Sequence, residues 1–133
     1  MKKTLFLAVA MLVSGSAFAL TDHYVLRDGN HVQHLKITTV GNDTTASSDV
    51  DFEPTTGEEG KHACSADISG EAKFTGENEL VMKKQIPSER KFCTLNIKLS
   101  PNGAKIEQSE ECGYFAAGLC HFGSEGKELV KVK

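Results

Sequence analysis

Apolar and polar residues alternate with a period of two along much of this chain, and no segment carries the 3.6-residue spacing of an amphipathic helix. The stretch HACSADISGEAKF is the clearest case. Cys64, Ala66, Ile68, Gly70, Ala72 and Phe74 fall on one face, and Ser65, Asp67, Ser69, Glu71 and Lys73 on the other. In RKFCTLNIKLS, Cys93, Leu95, Ile97 and Leu99 oppose Thr94, Asn96 and Lys98. Successive side chains of a strand point to opposite faces, so each run reads as a strand with one face buried. Ser47 to Glu53 follows the same rule, with Val50 and Phe52 inward and Asp49, Asp51 and Glu53 outward.

Turn signals cut the rest into similar pieces. Asp28-Gly29-Asn30 is a hairpin signal between strands at 23–27 and 31–40. Gly41-Asn42-Asp43 ends the second of these, and GNDTTASS (41–48) is polar enough for a loop. PTTGEEGK (54–61) reads as a polar loop before a long strand at 62–75. Gly76-Glu77-Asn78, Pro87-Ser88 and Ser100-Pro101-Asn102-Gly103 then bound strands at 79–86, 91–99 and 105–109. A last strand at 127–133 has Val130 and Val132 as its apolar face. About eight short, regularly spaced strands predict an all-β domain, a small antiparallel barrel or sandwich.

The first nineteen residues break this pattern. Lys2 and Lys3 precede an apolar run from Leu5 to Val13, and Ala17-Phe18-Ala19 forms an A-x-A site. That is the plan of a bacterial secretory signal peptide cleaved after Ala19. The run is too short for a spanning helix, which takes about 20 residues, so no membrane anchor is expected. Residue 20 is Leu and not the Cys of a lipoprotein. The expected organisation is a signal peptide over 1–19 and one β domain over 20–133, in the periplasm or secreted. Cleavage removes Lys2, Lys3 and no acid, which moves the net charge from −3 to −5. An acidic domain lacks the basic footprint that nucleic acid requires and favours basic protein partners.

All four cysteines lie beyond the leader: Cys64, Cys93, Cys112 and Cys120. An even count in a small exported domain predicts two disulfides, and four cysteines allow three pairings. Cys64 and Cys93 each fall on the apolar face of a strand, so a Cys64–Cys93 bridge inside the core is expected. Cys112–Cys120 would then close the short loop GYFAAGL.

Catalytic motifs are absent: there is no GxSxG, no phosphate-cradling glycine loop and no HExxH. Cys120 and His121 are adjacent, but catalytic partners meet in space, and a disulfide-bonded cysteine is no nucleophile. His31 and His34, three apart on a strand, point to opposite faces and read as solvated positions beside a hairpin. They would form a metal site only if a bulge intervened or His23 joined from a paired strand. A non-enzymatic protein without cofactor or metal is the expectation.

The loop GYFAAGL is the strongest candidate for function. Tyr114, Phe115 and Leu119 either cap the core or form a rigid probe, with Gly113 and Gly118 allowing close approach. A preorganised loop loses little entropy on binding, and aromatic anchors dominate interfaces. In plan, an exported, disulfide-bonded β domain without catalytic apparatus resembles the periplasmic lysozyme inhibitors of Gram-negative bacteria. It is also similar to periplasmic immunity proteins that neutralise cell-wall-degrading effectors. The resemblance implies steric occlusion of a cell-wall hydrolase. In that reading Tyr114, Phe115 and Leu119 contact the partner, and Asp49, Asp51 and Glu53 steer a basic peptidoglycan hydrolase. A surface adhesin or small-ligand-binding module and a periplasmic metal-binding protein are the alternative classes.

Overall fold

Eight antiparallel strands follow one another around a closed barrel in simple up-and-down order in a computed structural model, which describes residues 19–54, 62–116 and 119–132. They are β1 (Ala19–Asp28), β2 (His31–Val40), β3 (Asp43–Phe52), β4 (Cys64–Gly76), β5 (Glu79–Gln85), β6 (Phe92–Ser100), β7 (Gly103–Gln108) and β8 (Leu129–Val132). Residues 1–18 of the expected leader lie outside the described residues, and Ala19 is the first residue of β1.

The period-two pattern works as expected in most strands. Ile68 and Ala72 of β4, Leu80 and Met82 of β5, and Cys93, Leu95 and Ile97 of β6 are buried, while most of their alternates face water. An eight-stranded barrel has an interior just wide enough for side chains to fill it. Tyr24, Leu35, Ile37, Val50, Phe52, Ile106 and Leu129 complete that core. Gly29 and Gly41 each take the first central position of a two-residue hairpin, with φ of 62° and 61°. A type II′ turn requires that conformation, and glycine adopts it without steric cost.

Two expectations about strands are corrected. GNDTTASS is largely strand: β3 begins at Asp43 and pairs along its whole length with β2. Its inward residues, Thr44, Ala46 and Ser48, are small or polar. In β8 the inward residue is Leu129, whereas Val130 and Val132 are exposed. Barrel closure decides this phase, because Ala104 pairs with Leu129 and Gly103 with Val130. A Cβ on Gly103 would stand 2.5 Å from the Leu129 carbonyl oxygen, so the closing seam depends on glycine there.

The disulfide pairing is also corrected. The bridges are Cys64–Cys120 and Cys93–Cys112, not Cys64–Cys93 and Cys112–Cys120. Facing the same interior does not make two cysteines neighbours. β5 lies between β4 and β6, and Cys93 is level with Lys84 of β5. Extending the Ala72–Met82 register puts Lys84 level with Gly70, six residues from Cys64. At about 3.3 Å per residue that is an offset of roughly 20 Å along the strand.

Candidate functional site

The described residues of the segment 109–128, between β7 and β8, form a strap at one end of the barrel. It begins with a single 3₁₀ turn, Glu110–Tyr114. Ser109 joins this turn to β6: its N–H donates to the Thr94 carbonyl at 3.0 Å, and its Oγ accepts from the Thr94 N–H at 3.0 Å. That places Cys112 beside Cys93, with their Cα atoms 4.4 Å apart. The Phe115 and Ala116 N–H groups donate to the Cys112 carbonyl and tighten the turn. At the far side Cys120 is tied to Cys64, which pairs in register with Phe52. Each end of the GYFAAGL segment is thus fixed to a different strand of the wall.

The return leg is stitched between β2 and β7. The Gln33 amide, fully buried, donates to the carbonyls of His121 (2.8 Å) and Gly123 (2.9 Å). Gln108 Oε1 accepts from the N–H groups of Phe122 (2.7 Å) and Gly123 (2.9 Å). Ser124 exchanges hydrogen bonds with the Ile106 backbone. Phe122 itself is fully buried and is among the largest side chains of the core. Sequence reasoning missed it because it lies outside the cysteine bracket. The one available signal was the default inward place of a large aromatic residue.

The sequence candidates therefore separate. Phe115 is half-buried and packs on the core, edge-on to Tyr114 at 5.1 Å between ring centroids. Ala116 is buried. Tyr114 and Leu119 face outward, 62% and 45% exposed. Gly118 lies outside the described residues. The strap is thus both cap and presented surface, with Phe115, Ala116 and Phe122 inward and Tyr114 and Leu119 outward. Asp49, Asp51 and Glu53 are all exposed. Asp51 and Glu53 flank Phe52 and line a shallow cleft with Ala63, Cys64 and Ser65, on the side where Leu119 sits next to the Cys64–Cys120 bridge. Asp49 stands between His34 and Asp67 in register. Tyr114 lies in the 3₁₀ turn that is bridged to β6.

The expectation that His31 is solvated is corrected. It is 9% exposed and stacks on His121, with ring centroids 4.3 Å apart. His121 Nδ1 donates to the Gly123 carbonyl, and its Nε2 lies 3.3 Å from Glu125. Lys127 pairs with Asp28, which stands opposite His31 across the first hairpin, and this holds the Asp28 carboxyl below its usual range. Burial, and then the neighbouring His121, push the pKa of His31 down; Lys127 adds to this, while Asp28 and Glu125 oppose it. His34 is shifted down as well, by burial and then by His23. A histidine with a depressed folded pKa takes up a proton more readily when unfolded. Its contribution to stability is full above the unfolded value near 6.5 and is lost as pH falls from there through the lower folded value. The melting temperature is therefore expected to fall between about pH 7.5 and pH 5. His31→Gln should flatten part of that slope and leave the part due to His34. A thermal melt series across this range reads both, and an unchanged slope in the variant would refute the assignment.

The two disulfides point to an oxidising, exported environment. Among the described residues no helix is long and apolar enough to cross a membrane. No family model, curated protein or solved structure matches this chain.

Proposed function

We propose that this protein is an exported, non-enzymatic inhibitor of a cell-wall hydrolase that acts by occluding the enzyme's cleft. In this reading residues 1–19 are a leader removed on export, and the periplasm is the site of action. One observation carries the proposal: the GYFAAGL segment is disulfide-bonded at each end to a separate strand and presents Tyr114 and Leu119 to solvent. Tyr114 and Leu119 each stand within two residues of a bridge, which reduces the conformational freedom they lose on binding. Tyr114 is the anchor, since rigid aromatic residues supply much of the energy of interfaces. Asp51 and Glu53 lie beside the Leu119 end of the strap, with Asp49 further along the wall. Their charge attracts a basic partner and speeds encounter more than it adds affinity.

The test is a titration of the purified oxidised protein against a panel of muramidases and peptidoglycan amidases, scored by cell-wall lysis. Stoichiometric inhibition of at least one enzyme is expected. Tyr114→Ala with Leu119→Ala should weaken it by about 30-fold or more, the loss of a residue worth roughly 2 kcal/mol. The double variant should stay folded, with a melting temperature lower by no more than about 5 °C. Asp51→Asn with Glu53→Gln should slow association at low salt and matter little at high salt. A folded protein that inhibits none of the panel, or a double variant with full potency, would overturn the proposal.

A further inference from the structure

His23 and His34 face outward from the barrel wall, on the ladder where β1 and β2 pair over ten residues. Val25 lies opposite His34 and Lys36 opposite His23, so the two histidines are diagonal neighbours. Their rings lie nearly face to face, with centroids 5.1 Å apart and planes inclined by 26°. His23 Nε2 and His34 Nδ1 approach to 2.9 Å. Both side chains are partly exposed, so an ion in solution can reach them.

Imidazole nitrogens bind a transition metal at about 2.0–2.1 Å, and both rings can reach one ion once they turn from this stacked, hydrogen-bonded arrangement so that their in-plane lone pairs converge. Tetragonal coordination by nitrogen and oxygen is the preference of Cu(II) and Ni(II), and Cu(II) stands highest in the affinity order of the divalent ions. The surrounding charge is mixed: Asp49 stands opposite His34, with Asp67 on its other side, while Lys36 stands opposite His23. Among the described residues no third ligating side chain converges on the pair. Water would fill the remaining positions.

We infer that His23 and His34 form a two-imidazole surface site for a divalent transition metal, Cu(II) above the others. The site revises the expectation of a protein without metal, and it does not depend on the inhibitor reading. Both ligands sit on a complete strand ladder, so binding needs no folding step. Two protein ligands and water make the ion exchangeable, as in a protein that buffers or passes on copper, unlike a closed structural centre. A simple hydrogen bond between the rings is the competing account of the same 2.9 Å contact.

The experiment is a calorimetric titration of the purified oxidised protein with CuCl2 in a non-coordinating buffer near neutral pH, with electron paramagnetic resonance of the one-equivalent sample. The expected result is one Cu(II) per chain with a tetragonal spectrum carrying the splitting of two equatorial nitrogens. His23→Ala and His34→Ala should each weaken binding by about tenfold or more, and His62→Ala should not. Both replaced positions face solvent, so the variants should keep the parent circular dichroism. Absence of one-to-one binding would overturn the inference. So would full affinity in His34→Ala, which would place the copper elsewhere and leave the 2.9 Å contact as a hydrogen bond.

Discussion

Replacing Cys64 and Cys120 together by alanine is expected to lower the unfolding free energy by about 4 kcal/mol, and replacing Cys93 and Cys112 by about 3 kcal/mol. The difference follows from ring size. The first bridge joins residues 56 apart and the second residues 19 apart, and the second ring is nested inside the first. In the chain-entropy model the constraint on the unfolded chain grows with the logarithm of the loop. Nesting shortens the path that the outer bridge closes, but the logarithm makes that correction small. Either loss is a large fraction of the roughly 5–15 kcal/mol that keeps a domain folded. Guanidinium unfolding of the two double variants measures both values. A non-reducing digest read by mass spectrometry establishes the pairing independently, through peptides that join Cys64 to Cys120 and Cys93 to Cys112. Equal stability in all three proteins would mean that the bridges constrain little. The variants also bear on function. Without Cys93–Cys112 the Tyr114 end of the strap loses its bridge, and without Cys64–Cys120 the Leu119 end does.

The pairing illustrates what the sequence could and could not reveal. Alternation told which way Cys64 and Cys93 face, and both do point inward. It carried no information on how far apart they lie around and along a barrel, because that depends on strand order and register. The same limit applied to β8. In Leu129-Val130-Lys131-Val132 either phase offers an apolar face, and only closure against Gly103 and Ala104 selects Leu129. β3 was half legible: Val50 and Phe52 alternate clearly with acids, whereas Thr44 and Ser48 are inward residues that look like loop residues. The outward phases of Asp49, Asp51 and Glu53 were readable for the converse reason, since charged residues do not enter an unpaired interior. Inside the strap no period exists to read. Which of Tyr114, Phe115 and Leu119 turn inward is set by the two bridges and by Gln33 and Gln108. Their hydrogen bonds to the return leg tie it to two separate strands, and alternation does not encode such links.

Phe122→Ala is expected to cost about 3–5 kcal/mol, the range for emptying a buried aromatic site. The upper part of that range applies, because the cavity has little means of collapsing. The Phe122 N–H is held by Gln108, the carbonyls on either side of Phe122 by Gln33, and Cys120 two residues earlier by its bridge to Cys64. A backbone fixed at so many points leaves the space beneath it open, and the cost of such a cavity rises with its residual volume. Phe122→Leu keeps most of the volume and should cost much less, about 1–1.5 kcal/mol. Tyr114→Ala and Leu119→Ala remove exposed side chains and should change stability by no more than about 0.5 kcal/mol each. Denaturant unfolding of the four variants tests the division of the strap into an inward anchor and an outward surface. A loss below about 1 kcal/mol in Phe122→Ala would remove Phe122 from the core. A large loss in Tyr114→Ala would mean that this ring supports the fold, and its effect on inhibition could then no longer be assigned to contact with the hydrolase.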